Sequence, residues 1–224
     1  MASIPIISIS TLFADHEGTR SVGEAIGRAA FDIGFMIVRG HPSELPVGQF
    51  ERKLLLKIFE LPEEEARSLW KRNFAPENKH IYRGWFPLSS SKARNREGFE
   101  IGPDVLRPIP AGYHDDLLYE ATPLPSENQL PEGWFEAAKG YYAGMESIGK
   151  AILASISRNL HISEVIFEDA FRDGISTLRL LHYPGRDQQE ELPDDFPDRN
   201  VEIGGVKKEQ VARAHVDSGL LTIL

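Results

Sequence analysis

The residues best suited to chemistry gather in Arg213-Ala-His-Val-Asp-Ser-Gly-Leu-Leu-Thr-Ile-Leu224. The stretch reads as a strand, a turn at Ser218-Gly219 and the start of a second strand. Period-2 alternation puts Val211, Arg213, His215 and Asp217 on one face, and Ala212, Ala214 and Val216 on the other. An imidazole and a carboxylate two residues apart on a strand therefore aim the same way. They are two of the three ligands of a 2-His-1-carboxylate site, which holds Fe(II) on one triangular face and leaves the other positions open. The bare pattern is weakly selective, because with seven His in an acidic chain about one His-x-Asp/Glu arises by chance. His114-Asp115-Asp116 is such a copy, and it follows Pro108, Pro110 and Gly112 in a loop-like stretch with no strand pattern to fix its geometry.

Composition narrows the classes. The chain has 224 residues, enough for one or two domains with a sizeable core, and 41% hydrophobic with 26% charged residues is ordinary for a globular protein. A net charge of −9 opposes a nucleic-acid surface, which needs a basic field. With no cysteine there is neither a disulfide nor a thiolate metal site, which fits a reducing compartment such as the cytoplasm. The apolar Ile4 to Ile9 lacks the basic flank and long core of a signal peptide, and no apolar run reaches transmembrane length. A small-molecule substrate is the expected partner, with no nucleic acid and no membrane; oligomeric state is left open.

The elements that must position the pair follow from periodicity. Residues 4–9 read as an edge strand entered at Pro5. Ser21-Val-Gly-Glu24 has capping-box form ahead of the stripe Val22, Ile26, Ala29, Ala30 and Ile33, which Gly34 stops. Phe35 to Val38 is an apolar run of buried-strand length, ended at Gly40-His41-Pro42, where His41 is read as structural. Helices follow over 47–60 and from Pro62, whose Glu63, Glu64 and Glu65 sit at the positive dipole end. Residues 72–131 are loop-rich and aromatic; Tyr82, Trp85 and Phe99 are the candidates for a substrate pocket, against the plainer reading of loops packed over a core. Lys79, Arg83, Lys92, Arg94 and Arg96 suit the steering of an anion, though solvated surface is the plainer reading for each. The longest helical stripe runs over 132–160 and should brace the sheet that carries the metal; Ser163 caps a short helix to about Phe171. From Ser176 a strand sets Arg179, Leu181 and Tyr183 on one face and Leu178, Leu180 and His182 on the other, so His182 is not used as a ligand. Residues 186–200 form an acidic loop without EF-hand spacing.

These blocks together carry a resemblance. "AHVDSGLLTIL" resembles the metal-binding strand of the isopenicillin N synthase-like family of non-haem Fe(II), 2-oxoglutarate-dependent oxygenases. "IPIISISTL", "AAFDIGFMIVRGH", "FELPEEEA", "REGFEIG" and "LLHYPG" resemble further family blocks in order, and "YRGWFPL" resembles its "GY" block. The resemblance implies an α+β fold, a helical N-terminal region packed on a double-stranded β-helix (jelly-roll) core, divided as 1–130, supporting helices over 131–175, and the start of the core over 176–224. It implies a dioxygenase using Fe(II), 2-oxoglutarate and O2 to hydroxylate, desaturate or cyclise a small organic substrate. His215 and Asp217 would bind the metal, and Tyr183 would lie beside the carboxylate of the co-substrate or substrate, where a phenol donor suits it. The family's second His ligand and its Arg-x-Ser pair follow the His-x-Asp strand, whereas this chain runs seven residues past Asp217, so the resemblance implies only the first strands of the core, and weak iron binding and poor turnover for 1–224 alone. Two alternatives stand beside this: an O2-dependent oxidase of the same family that does not use 2-oxoglutarate, and a non-catalytic binding protein that keeps part of the fold.

Overall fold

A computed structural model describes residues 3–14, 18–88, 96–185, 200–209, 215–217 and 219–224. In chain order the elements are β1 (Ile6–Ser8), α1 (Thr19–Asp32), β2 (Ile37–Arg39), α2 (Gln49–Leu55), α3 (Glu63–Arg67), β3 (Gly84–Phe86), β4 (Glu97–Ile101), α4 (Trp134–Asn159), α5 (Val165–Phe171), β5 (Leu178–His182), β6 (Asn200–Ile203) and β7 (Val206–Glu209), with short 3-10 turns between them. The chain is α+β. Among the described residues the strands form three small sheets, with β1 parallel to β2, β4 antiparallel between β3 and β5, and a β6–β7 hairpin. Gly204 and Gly205, both at positive φ, make the hairpin's two-residue turn, a signal the periodicity reading passes over.

The 26-residue α4 organises the packing. At about 1.5 Å per residue it is long enough to serve two cores. Its first half puts Trp134, Ala138, Tyr141 and Tyr142 against Leu55, Ile58, Trp85, Phe99, Ile101 and Leu180, so it backs the three-stranded sheet. The indole of Trp134 donates to the Leu55 carbonyl (3.0 Å), and the phenol of Tyr142 to that of Ser176 (2.6 Å). Its second half puts Ile148 and Ile152 against Ile7, Ile9 and Ile26, with Leu221 and Ile223 at the border. Each large apolar side chain buried here contributes about 1.5–3 kcal/mol.

Several local expectations change on inspection. The helix expected to start at a Ser21 capping box begins a turn earlier, after Gly18 at φ +114°, and the Ser21 hydroxyl bonds back to the Gly18 carbonyl (2.9 Å). Gly34 does follow the helix, at φ +79°. Glu164, not Ser163, takes the N-cap position of α5, with no side-chain cap. The run Phe35 to Val38 is not buried throughout, because a two-stranded sheet has one covered face: Met36 and Val38 pack inward while Phe35 is 70% exposed. The expected strand through His215 is only partly open to view, since 210–214 lie outside the described residues and 215–217 have no sheet pairing. Beyond it, Leu221 and Ile223 turn inward and Leu220 outward, so the expected alternation is present without a ladder. The acidic stretch 186–199 also lies outside the described residues.

The C-terminus of α4 closes in a Schellman motif. Ile162 N–H donates to the Ser157 carbonyl (3.0 Å) and His161 N–H to that of Arg158 (3.2 Å). The left-handed position is filled by His161 at φ 56°, among the described residues the one non-glycine at positive φ. A side chain there is strained by about 1 kcal/mol. His161→Gly is therefore expected to raise unfolding stability by about 0.5–1 kcal/mol in urea denaturation; an unchanged or lower midpoint would show that the imidazole makes up the difference.

Candidate functional site

His215 and Asp217 meet at the end of the described chain. His215 Nε2 lies 3.1 Å from Asp217 Oδ1, and both side chains are more than half exposed, at 64% and 56%. The other carboxylate oxygen, Oδ2, accepts a hydrogen bond from Thr222 Oγ1 (3.2 Å), which turns Oδ1 toward the imidazole. The pair fits one metal ion: two donors each about 2.1 Å from an ion at a right angle lie about 3 Å apart. A proton on Nε2 would fill the same gap as a hydrogen bond, so proton and metal compete for it. Thr222 is the orienting partner that sequence reasoning missed; its place in an alternating run five residues past Asp217 is the signal that was available. No three His, Asp, Glu or Cys converge on one point among the described residues. His114 lies in an exposed loop, and His41 Nδ1 sits 3.0 Å from the Pro42 carbonyl.

The three-stranded sheet has two unlike faces. Register pairs Trp85 with Phe99 and Phe99 with Leu180, which puts these side chains on the core face with Ile101 and Leu178. Trp85 and Phe99, expected at a substrate mouth, are thus core residues, and Phe99 has no exposed surface at all. Alternation alone cannot say which face is covered; the pairing with Leu180 and the apposition of α4 decide it. His182 falls on this face as read, its Nδ1 2.8 Å from Glu97 Oε1, while Glu97 Oε2 accepts from the Trp85 indole (3.1 Å).

The opposite face carries Gly98 and Glu100 from β4, Phe86 from β3, Arg179 and Leu181 from β5, and Tyr183 just beyond. Gly98 is required there: a Cβ would stand 2.3 Å from the ring of Phe86 and 2.8 Å from the Leu180 carbonyl. Tyr183 is 43% exposed, and its phenol oxygen accepts a hydrogen bond from Arg96 Nη1 (3.2 Å). Glu100 is nearly buried between Lys71 Nζ on one oxygen and the Arg179 guanidinium on the other.

Tyr82 and Arg83 open a second cluster. Tyr82 stands at the surface with the Arg83 guanidinium 5.3 Å from its ring centre. Arg83 itself, considered for steering, is fully buried: it donates to Thr177 Oγ1 (2.9 Å) and the Leu118 carbonyl (3.2 Å), tying three loops together. Lys92 and Arg94 lie outside the described residues. A cleft beside Arg83 is lined by Asp104, Arg107, Tyr119, Glu120 and Asp173. Three of its charged groups are occupied internally: Glu120 accepts the backbone N–H groups of Ile81, Tyr82 and Arg83, Asp104 accepts from Thr122, and Arg107 forks onto Glu146 (3.0 and 2.8 Å). Burial alone would raise the Glu146 carboxyl, but the hydrogen bonds and charge of Arg107, helped by Lys150, hold it below its ordinary value. The same hydrogen bonds raise the Arg107 guanidinium against its own desolvation. Burial pushes the Tyr142 phenol far up as well.

Three comparisons bear on this geometry. A profile of the family described as the N-terminal region of the non-haem dioxygenase in morphine synthesis matches residues 4–132. A homoarginine-6-hydroxylase of Arabidopsis thaliana is 26% identical over 99% of this chain and 64% of its own length. A 2-oxoglutarate-Fe(II) type oxidoreductase of Emericella nidulans is 26% identical over 98% of this chain and 60% of its own. The chain thus spans 64% and 60% of these two relatives. Among solved structures, a full-length Neurospora crassa protein in complex with alpha-KG superposes with a TM-score of 0.64 at 21% identity, over 81% of this chain and 54% of that one. A putative 2OG-Fe(II) oxygenase family protein of Caulobacter crescentus gives 0.63 at 22% identity, over 82% and 57%. At these identities the structures speak for the fold alone.

The Arg107–Glu146 pair sets a pH dependence. Because the folded carboxyl is held below its unfolded value, its contribution is full above the ordinary Glu range and is lost as pH falls through the folded value. Arg107→Met is expected to cost about 2 kcal/mol at pH 7, from the lost charged hydrogen bonds, and progressively less below pH 4. Urea unfolding at the two pH values checks this; an equal cost at both would mean that packing, not charge, holds the pair.

Proposed function

This chain belongs to the non-haem dioxygenase family whose N-terminal region its residues 4–132 match, and we propose that it acts as an Fe(II)- and 2-oxoglutarate-dependent oxygenase on a small organic substrate. The observation that carries the reading is the approach of His215 Nε2 to Asp217 Oδ1 at 3.1 Å, the spacing of two neighbouring ligands on one ion. In this reading His215 and Asp217 hold Fe(II). Iron with O2 and 2-oxoglutarate would supply the oxidising chemistry, with succinate and CO2 as co-products and a hydroxylated, desaturated or cyclised substrate.

The chain's own groups have distinct tasks. His215 would bind through Nε2, the ring nitrogen that faces Asp217. Asp217 is held by Thr222 with one oxygen turned to the metal side, as outer partners of ligating carboxylates do. Tyr183 offers a phenol to a carboxylate of substrate or co-substrate, steadied by Arg96. The supporting helices, with α4 foremost, give the segment its footing: Leu221 and Ile223 rest on the small core beside Gly149, 3.5 Å from Ile223 Cδ1 to the position of a Cβ there. Among the described residues no helix is long and apolar enough to cross a membrane. A cytoplasmic setting accords with a chain free of cysteine.

Anaerobic titration with Fe(II) and 2-oxoglutarate, following the visible charge-transfer band of the chelate, tests the reading. A saturable band is expected that His215→Ala and Asp217→Ala each abolish and that Thr222→Val shifts to about tenfold higher iron. A band unaffected by the first two substitutions would place the iron elsewhere, and no band in the folded protein would refute the proposal.

A further inference from the structure

Apolar side chains left in water gather where α1 and α4 end. A Cβ at Gly23 would meet the Ser155 hydroxyl at 3.3 Å, and one at Gly27 would collide with the Asn159 side chain, so the two helices touch along a register that advances four residues for four. They therefore run in the same direction. One turn beyond Gly27 the matching stretch of α4 is gone, because that helix stops at Asn159 and the chain swings away at His161. Phe31 is carried past the end of its neighbour and stands 90% exposed. Leu160, Ile162, Val165 and Ile166 lie on the turn and the start of α5 at the same level, and all four are exposed as well. The charges interspersed with them close on each other, Arg158 Nη1 lying 2.6 Å from Glu164 Oε2. The five apolar side chains present on the order of 500 Å² to water, at the upper end for the largest patch of a monomer. Two such patches face to face would remove about 1,000 Å² from water, the least that a specific interface needs.

We propose that two copies of the chain meet at this patch, in a twofold contact centred on Phe31. The charges of α1 select a second copy over an unrelated partner. Arg28 and Asp32 share an arc of about 100° with Phe31 on the helix. Both are exposed, and neither makes an ion pair among the described residues. Laid antiparallel on its own image, α1 brings Arg28 of one copy to Asp32 of the other, and the symmetry repeats the pair across the axis. A parallel arrangement would set Arg28 against Arg28 and Asp32 against Asp32, so the same charges fix the direction. Neither candidate metal ligand belongs to the patch, and the inference stands apart from the oxygenase reading.

Sedimentation equilibrium of the full chain, from micromolar to submillimolar concentration, tests this. A reversible monomer–dimer equilibrium is expected, with Phe31→Glu and Ile166→Glu each raising the dissociation constant at least tenfold. Asp32→Lys should raise it severalfold by setting a lysine against Arg28 of the other copy. Combining Arg28→Asp with Asp32→Lys restores opposite charges across the axis and should bring the constant back within about twofold of the unaltered chain. Ile6→Thr, on the outward face of β1, probes the competing apolar surface and should leave the constant within twofold. Circular dichroism and melting verify that each variant is folded. A chain that stays monomeric throughout, open-ended oligomers in place of a dimer, or a dimer indifferent to Phe31→Glu overturns the proposal. So does a double reversal that fails to restore association, or a loss from Ile6→Thr equal to that from Phe31→Glu.

Discussion

Both hydrophobic cores of this protein share one wall. α4 turns aromatic residues to the three-stranded sheet along its first half and aliphatic residues to the β1–β2 unit along its second, so neither core closes without it. The arrangement links parts that sequence order keeps apart. Trp134 fixes the carbonyl end of α2, Tyr142 fixes the approach to β5, and the far half supports the segment that follows Asp217. A change in the helix's tilt would therefore be felt at the sheet face and at the candidate ligands together.

The sheet shows how a polar face is kept in order at the edge of a core. Glu100 lies nearly out of water, where an unpaired carboxylate would be expensive, and two cations from neighbouring segments offset that cost. The core face of the same strand runs a hydrogen-bonded chain from the Trp85 indole through Glu97 to His182. β4 thus carries a carboxylate on each side, Glu100 turned to Lys71 and Arg179 and Glu97 to the Trp85 indole and the His182 imidazole.

Much of this was legible in the sequence, for physical reasons that also mark where legibility stops. The His-x-Asp pair and the long helical stripe are local patterns, and local patterns survive translation into structure. The faces of β5 were readable because period 2 needs no partner to define it. Which face meets the core was not readable, and so Trp85 and Phe99 were expected beside a ligand although they pack under α4. Arg83 was read as surface because a buried guanidinium needs three loops to receive it, and those loops come from residues far apart in the chain. Gly102 is the local trace of that burial: a Cβ would lie 2.4 Å from Arg83 Nε. Thr222 was missed because a hydroxyl that orients a carboxylate has no spacing rule of its own.

The β1–β2 unit has a consequence for how molecules of this protein behave toward one another. Register puts Ile6 beside Ile37, and Ile4 and Phe35, two residues before each, are exposed as well, so four apolar side chains face outward on a strand pair that has no third strand among the described residues. Such a row favours contact between copies, while a net charge of −9 holds copies apart. The first of these forces is short-ranged and indifferent to dilute salt; the second fades over about 8 Å at physiological ionic strength. Colloidal stability is then a balance that ionic strength tilts, and the chain stays dispersed most readily in dilute, low-salt solution above its isoelectric point near 5.3.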